Sequence, residues 1–151
     1  MTDNETKKPN TFLQLIKYGI VGVMNTLVTI VVIFVCKAIL NINPWLSNAI
    51  GYIAGVVNSF IWNKKWVFKS DNGYFFEAMK FLAGFLPCYL IQLASVWLLT
   101  ECTPLGDMTW TVCGFTFGGY GVATLIGMVV YTLSNFFYNR HITFRQSSNN
   151  K

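Results

Sequence analysis

The sequence predicts an all-α integral membrane protein in which four transmembrane helices form two parallel two-helix repeats. Three observations carry this expectation. Charged residues make up 11% of the 151-residue chain, against 54% hydrophobic and 17% aromatic; soluble domains carry about 25% charged residues. Four apolar runs, near 15–38, 45–62, 79–99 and 118–138, approach the roughly 20 residues that cross a bilayer's hydrocarbon. The second half of the chain also repeats motifs of the first. Little sequence lies outside the four runs, so one membrane domain over 1–151 is expected, with no separate soluble catalytic domain.

The first run follows Lys7 and Lys8, as the apolar core of a signal peptide would. It is too long for that role and no small-x-small cleavage site follows, so an uncleaved first helix is expected. The turn NINPW offers Asn43 as an N-cap and Pro44 at the first position of helix 2. In that helix Ser47, Gly51 and Gly55 recur every fourth residue, a spacing that lets membrane helices approach closely; Ala123 and Gly127 do the same in helix 4. Pro87 lies inside helix 3, where it removes one backbone hydrogen bond from the Ala83 carbonyl. Thr100 to Phe117 reads as a long loop punctuated by Pro104 and Gly106. It holds Cys102 and Cys113, and spacing alone leaves open whether they pair. Cys36 and Cys88 read as small membrane-buried residues. No CxxC or Cys/His spacing appears, so no metal or other cofactor is expected.

Charge sets the expected orientation. Lys7, Lys8 and Lys17 lie before or at the start of helix 1, and Lys64, Lys65, Lys69 and Lys80 surround the 2–3 connection. Arg140, Arg145 and Lys151 follow helix 4, while the 3–4 loop carries Glu101, Asp107 and no base. Only Lys37 falls at the opposite end. Basic loops stay in the cytoplasm, so both termini and the central loop are expected there. Tyr18, Trp62, Trp66, Tyr74 and Tyr138 fall at that interface, and Trp45, Trp97 and Trp110 at the outer one.

IGYIAGVVNSFIWNKKWVFKS (Ile50 to Ser70) aligns with IGMVVYTLSNFFYNRHITFRQ (Ile126 to Gln146). Gly51 falls on Gly127, Ser59 on Asn135, Asn63 on Asn139, Lys64 on Arg140 and Phe68 on Phe144. FLQLIKY (Phe12 to Tyr18) likewise falls on FFEAMKF (Phe75 to Phe81), with Lys17 on Lys80. Each two-helix unit returns to its starting side, so the repeats would be related by an axis along the membrane normal.

Ser59 and Asn63 are four residues apart, as are Asn135 and Asn139, so each pair shares a helix face. Lys64 or Arg140 follows, then Trp66-Val67-Phe68 or Ile142-Thr143-Phe144; Lys17 and Lys80 enter at the same level. Cations and amide donors at a bilayer surface are what a lipid phosphate requires. Terminal bases also fix topology and attract anionic lipid, at about 1 kcal/mol each, and that role suffices for Lys7, Lys8, Lys69 and Lys151. An amide adds nothing to topology, which favours a headgroup role for Asn63 and Asn139. His141, in the place of Lys65, reads as an interfacial polar residue. Deeper polar residues, Asn25, Thr29, Asn48, Gln92, Ser95, Thr124 and Thr132, either line a path or bond between helices.

Asn63-Lys64-Lys65-Trp66-Val67-Phe68 resembles the N-[RK]-x-W-x-F ending of helix 2 in the GtrA family of small four-helix bacterial membrane proteins. Lys17-Tyr18-Gly19-Ile20-Val21-Gly22 is similar to that family's basic-aromatic-x-x-V-G opening. Phe76 with Lys80, and Asn139-Arg140 with Phe144, match the second half more loosely, and His141 and Ile142 depart from the pattern. The resemblance covers nearly all of Phe12 to Phe144. It implies translocation of undecaprenyl-phosphate-linked monosaccharide across the bacterial cytoplasmic (inner) membrane, for glycosylation of cell-surface polysaccharide. On that reading Asn63, Lys64, Lys17, Lys80, Asn139 and Arg140 bind the lipid phosphate and headgroup. Ser59, Trp66, Val67, Phe68, Phe76, Asn135 and Phe144 form the supporting motif. The implied partners are the polyprenyl-phosphate sugar, membrane lipids and glycosyltransferases of the same pathway. Four helices enclose little volume, so a homodimer fits; nucleic acid is not expected.

Two other functions compete. A non-transporting subunit that scaffolds a glycosyltransferase fits the same residues. A proton-coupled small-molecule exporter would need an intramembrane carboxylate, and no Asp or Glu lies within the four predicted runs. An enzyme is not expected, because Glu101 and Asp107 are the only outer carboxylates and no Walker A or DxD pattern appears.

Overall fold

The computed structural model describes residues 10–112 and 115–145. The chain divides into two compact units, Met1–Asp71 and Asn72–Lys151, each built on a pair of packed helices.

In the first unit α1 spans Thr11–Phe34 and α2 spans Pro44–Trp62. Asn10 caps α1 by accepting from the Phe12 amide at 3.1 Å, and Asn43 caps α2 by accepting from the Trp45 amide at 2.9 Å. Pro44 stands at the first turn, where its missing N–H loses no helical bond. Both helices end in a π turn, Val35–Ile39 after α1 and Asn63–Val67 after α2. There the amide bonds the carbonyl five residues back: Leu40 to Val35 at 3.0 Å and Phe68 to Asn63 at 2.9 Å. The chain then turns through a left-handed residue, Asn41 (φ 51) or Lys69 (φ 50).

The small-residue stripe of α2 is its seam with α1. A Cβ added at Gly51 would meet Ile33 and come within 3.1 Å of the Thr29 carbonyl, and one at Gly55 would meet Thr29. Further along, Asn58 Nδ2 donates to Asn25 Oδ1 at 2.7 Å, and Tyr18 meets Phe68 edge-on at 6.2 Å. From Ile33 to Tyr18 this seam follows α1 for about 22 Å. The opposite face of α1, including Phe12, Ile16, Ile20, Leu27, Ile30 and Phe34, is exposed. Such a face suits a chain whose surroundings are lipid.

In the second unit α3 spans Tyr74–Glu101 and continues through Pro87, and α4 spans Gly119–Tyr138. A π turn, Asn139–Thr143, extends α4, with the Phe144 amide donating to the Asn139 carbonyl at 2.8 Å. Close packing again falls on glycines: a Cβ at Gly127 would lie 2.6 Å from Val96 Cγ2, and one at Gly84 would enter the Tyr138 ring.

The structure corrects three expectations. Helix 3 begins five residues before 79 and ends two after 99, because Tyr74, Phe75 and Phe76 continue the apolar helix upstream of the predicted run. The segment expected to be a loop contains a 3-10 turn, Pro104–Asp107, and two antiparallel strands. These are β1 (Thr109–Val112) and β2 (Phe115–Gly118), with Thr109 opposite Gly118 and Trp110 opposite Phe117. Alternation of threonine with Trp, Val and Phe is a two-residue period that favours strands. Helix 1 starts earlier than 15, at Thr11, where Asn10 supplies the cap. Of the four expected spans, three are long and apolar enough to cross a membrane among the described residues: Thr11–Ile39, Tyr74–Glu101 and Gly119–Thr143. The α2 helix is not among them, being diluted by Ser47, Asn48, Asn58, Ser59 and its glycines. Cys113, whose pairing with Cys102 the spacing leaves open, lies outside the described residues.

Gly127→Val is expected to destabilise the second unit by about 1–3 kcal/mol through overpacking against Val96, read as a lower melting temperature in detergent. Gly22→Ala meets nothing within 4 Å and should lose no stability. Equal melting temperatures for the two variants would contradict the seam.

Candidate functional site

Each unit carries a candidate site of its own, one where α2 ends and one where α4 ends. Each ending opens on an asparagine bonded to the residue four positions earlier: Asn63 Nδ2 to Ser59 Oγ at 3.2 Å, and Asn139 Nδ2 to Asn135 Oδ1 at 3.1 Å. Both asparagines are buried, at 2% and 0% exposure. Asn63 Oδ1 has no hydrogen-bond partner among the described residues, and neither does Thr143 Oγ1. A buried polar atom left this way costs about 1–3 kcal/mol, so its retention asks for an explanation other than stability.

The stripe that follows is set by helical spacing. Residues 63, 64, 67 and 68 lie on one side and are buried, while Lys65 and Lys69 are exposed. Lys64 is therefore a buried base, 2% exposed. Trp66 lies under the Lys17 ammonium, whose Nζ is 5.3 Å from the ring centroid, a cation–π contact that fixes both at one level. In the second unit Thr143 and Phe144 are buried like Val67 and Phe68, and Phe144 packs on Phe81 at 6.1 Å. Arg140 is half-buried, whereas Lys80 and Phe76 are exposed. His141 is exposed and stacks on Phe137. The first unit thus gathers Lys17, Ser59, Asn63, Trp66 and Phe68 at one end of its hairpin. The second gathers Asn135, Asn139, Thr143 and Phe144, and leaves Lys80 outside that cluster's buried part.

Most of the deeper polar residues are occupied within their own helices. Ser95, Thr124 and Thr132 each donate to the carbonyl four residues back at 2.8 Å, and Asn48 donates to the Pro44 carbonyl at 2.9 Å. Asn25 is held by Asn58. These bonds satisfy polar groups in an apolar medium, and they decide for internal bonding over a polar path at those positions.

Two site residues were missed. Glu77 is 2% exposed in the first turn of α3, and its Oε1 accepts from Asn72 Nδ2 at 3.1 Å. Placing the start of helix 3 at Met79 left Glu77 in the loop, so the premise that the helices contain no carboxylate fails here. An acidic residue in the first turn after Gly73 is the signal that would have found it. The other is Gln14, buried on α1, whose Oε1 has no partner among the described residues. It aligns with Glu77 in the repeat.

The family model described as GtrA/DPMS, transmembrane domain matches residues 17–144, from the Lys17 ammonium to the Phe144 ring. Among curated proteins the chain is similar to the cell wall teichoic acid glycosylation protein GtcA of Listeria monocytogenes serovar 1/2a. The two are 28% identical over 104 residues, which is 64% of this chain and 72% of that protein.

The turn that closes the first ending gives a direct test. Lys69 holds φ 50, a conformation that costs an L-residue roughly 1–2 kcal/mol. Lys69→Gly should leave stability unchanged or raise it, and Lys69→Val should lower it, both read by thermal melting. A stabilising valine would show that the turn is not left-handed.

Proposed function

The chain belongs to the GtrA/DPMS transmembrane-domain family, and on that premise we propose that it translocates a polyprenyl-phosphate-linked monosaccharide across the bacterial cytoplasmic membrane for surface-polymer glycosylation. The glycosylation role comes from the name of the Listeria relative. The observation that carries the binding site is the matched pair of endings. Each is a five-residue π turn opened by a buried asparagine, followed by a base, and closed by a buried phenylalanine. Turns of this kind are frequent at functional sites, and these two differ from the third, Val35–Ile39, in the buried asparagine that opens them.

In this reading the cations compensate the phosphate charge and the asparagines orient the headgroup. Lys17, Lys80 and Arg140 retain exposure and are the first to meet a phosphate; Lys64 and the amides lie further in. The prenyl chain stays in lipid along the exposed apolar faces, so only the headgroup needs a polar route. With no nucleotide-binding motif in the sequence, and with Glu77 read as a hydrogen-bond acceptor for Asn72 rather than a proton carrier, movement in this reading is passive and consumption of the sugar on the far side sets its direction.

The α2 helix crosses the membrane too, in this proposal, because its seam follows α1 for about 22 Å, most of the roughly 30 Å hydrocarbon thickness. Four crossings put both termini and the central loop in the cytoplasm. The repeat of helix endings is then a repeat of function, with the second copy diverged at His141 and Ile142.

Two experiments test this. Cysteine at the exposed Gly73 should react with an impermeant thiol reagent only from the cytoplasm, and at Asp107 only from outside; the reverse would overturn the orientation. In cells relying on this protein, Asn63→Ala should abolish surface-polymer glycosylation at normal expression. Loss of one hydrogen bond to a charged group is worth about ten- to a hundredfold in binding. Lys80→Gln should weaken it comparably, Asn139→Ala less than Asn63→Ala, and Lys69→Gln little. Full activity in Asn63→Ala with loss in Lys69→Gln would reduce the motif to a membrane anchor.

A further inference from the structure

We propose that Asn72 and Glu77 are a positioning pair that clamps the inner end of the second helical hairpin, holding the Asn139–Thr143 turn in its headgroup-binding geometry; the binding role rests on the function proposed above. The Asn72 side-chain amide donates to Glu77 Oε1 at 3.1 Å and to the Arg145 main-chain carbonyl at 2.9 Å. One hydrogen of the amide thus goes to the first turn of α3 and the other to the residue that leaves the turn after α4. A single side chain ties the start of one helix to the end of its neighbour.

The turn it holds is one that benefits from support. Its closing bond runs from the Phe144 amide to the Asn139 carbonyl at 2.8 Å, and Arg145 follows directly. Helix ends fray first, and a π turn is a rare ending. Releasing the Arg145 carbonyl would loosen Phe144, then Asn139 and its bond to Asn135. Glu77 has little other freedom, being 2% exposed in the first turn of its helix. A buried carboxylate oxygen without a donor is costly, so the Asn72 amide is matched to it.

The first half of the chain separates positioning from charge. In the repeat register Gln14 stands where Glu77 does, and Pro9 where Asn72 does. Proline offers no side-chain donor, and Gln14 Oε1, in a residue 9% exposed, has no partner among the described residues. Both halves therefore keep an acceptor oxygen at this buried place, one from an amide and one from a carboxylate. Only the second supplies an asparagine for it. What the position requires is an acceptor, not a proton carrier, and among the described residues the clamp belongs to the second half.

Three variants decide the matter. Glu77→Gln keeps an acceptor of the same length, Glu77→Ala removes it, and Asn72→Ala removes the donor from a half-buried loop position where folding is least at risk. Hydrogen exchange of the purified protein in nanodiscs should show the Phe144 amide opening about tenfold or more faster in Asn72→Ala and Glu77→Ala. It should stay near the wild-type rate in Glu77→Gln, and the Phe68 amide of the first hairpin should be unchanged in all three. Surface glycosylation should follow the same order. An unchanged Phe144 rate in Asn72→Ala would remove the clamp. Loss of glycosylation in Glu77→Gln with Phe144 still protected would give Glu77 a charge or proton-transfer role instead. Should the wild-type protein prove not to translocate lipid, the proposed function fails, and the exchange rates still decide whether the clamp exists.

Discussion

A polar group inside a bilayer finds no water, so every one must be answered by the protein itself or by what the protein binds. That constraint orders nearly everything seen in this chain. Hydroxyls on α3 and α4 turn back to their own carbonyls, as Ser95, Thr124 and Thr132 do. Asn25 and Asn58 answer each other across the first hairpin. The ends of α1, α2 and α4 close by π turns that pair amides with carbonyls five residues back. Against that economy, the few acceptors with no partner among the described residues stand out: Gln14 Oε1, Asn63 Oδ1 and Thr143 Oγ1. Gln14 lies near the start of α1, while Asn63 and Thr143 belong to the turns that end α2 and α4. Positions that are expensive to leave empty are where a hydroxylated, charged headgroup has most to offer.

The same medium explains how little core the protein has. Lipid solvates apolar side chains as well as a neighbouring helix does, so helices associate through close backbone approach rather than burial of bulky residues. The seams accordingly run through Gly51 and Gly55 in one unit and Gly84 and Gly127 in the other. Most of the large aliphatic and aromatic residues face outward, up to Trp45 at 85% exposure.

Much of this was legible in the sequence because its signals are local. The Asn43-Pro44 cap, the small-residue stripes and the i, i+4 asparagine pairs depend on spacing within one helix, and the structure keeps them. What was not legible depended on competition between signals. Pro104 and Gly106 announce a loop, and they outweighed the short threonine alternation that makes β1 and β2. The apolar run that marks helix 3 starts only at Met79, after Glu77, although a first-turn carboxylate is favourable at a helix N-terminus. The apolar signal of α2 is faint for a related reason: residues that pack it against α1 are small or polar, and they lower its hydropathy. Burial of Lys64 was also out of reach, since a basic residue at a helix end reads equally as a topological anchor.

Leaflet exchange by the isolated protein is the most direct measurement. Purified protein would be reconstituted into liposomes carrying a labelled polyprenyl-phosphate monosaccharide in one leaflet, with no glycosyltransferase and no ion gradient. Appearance of label in the opposite leaflet, at a rate that scales with protein and is unaltered by an imposed pH gradient, is the predicted result. Exchange only after a glycosyltransferase is added would make the protein a scaffold, and exchange only with a proton gradient would make it a coupled transporter in which Glu77 is the first residue to examine.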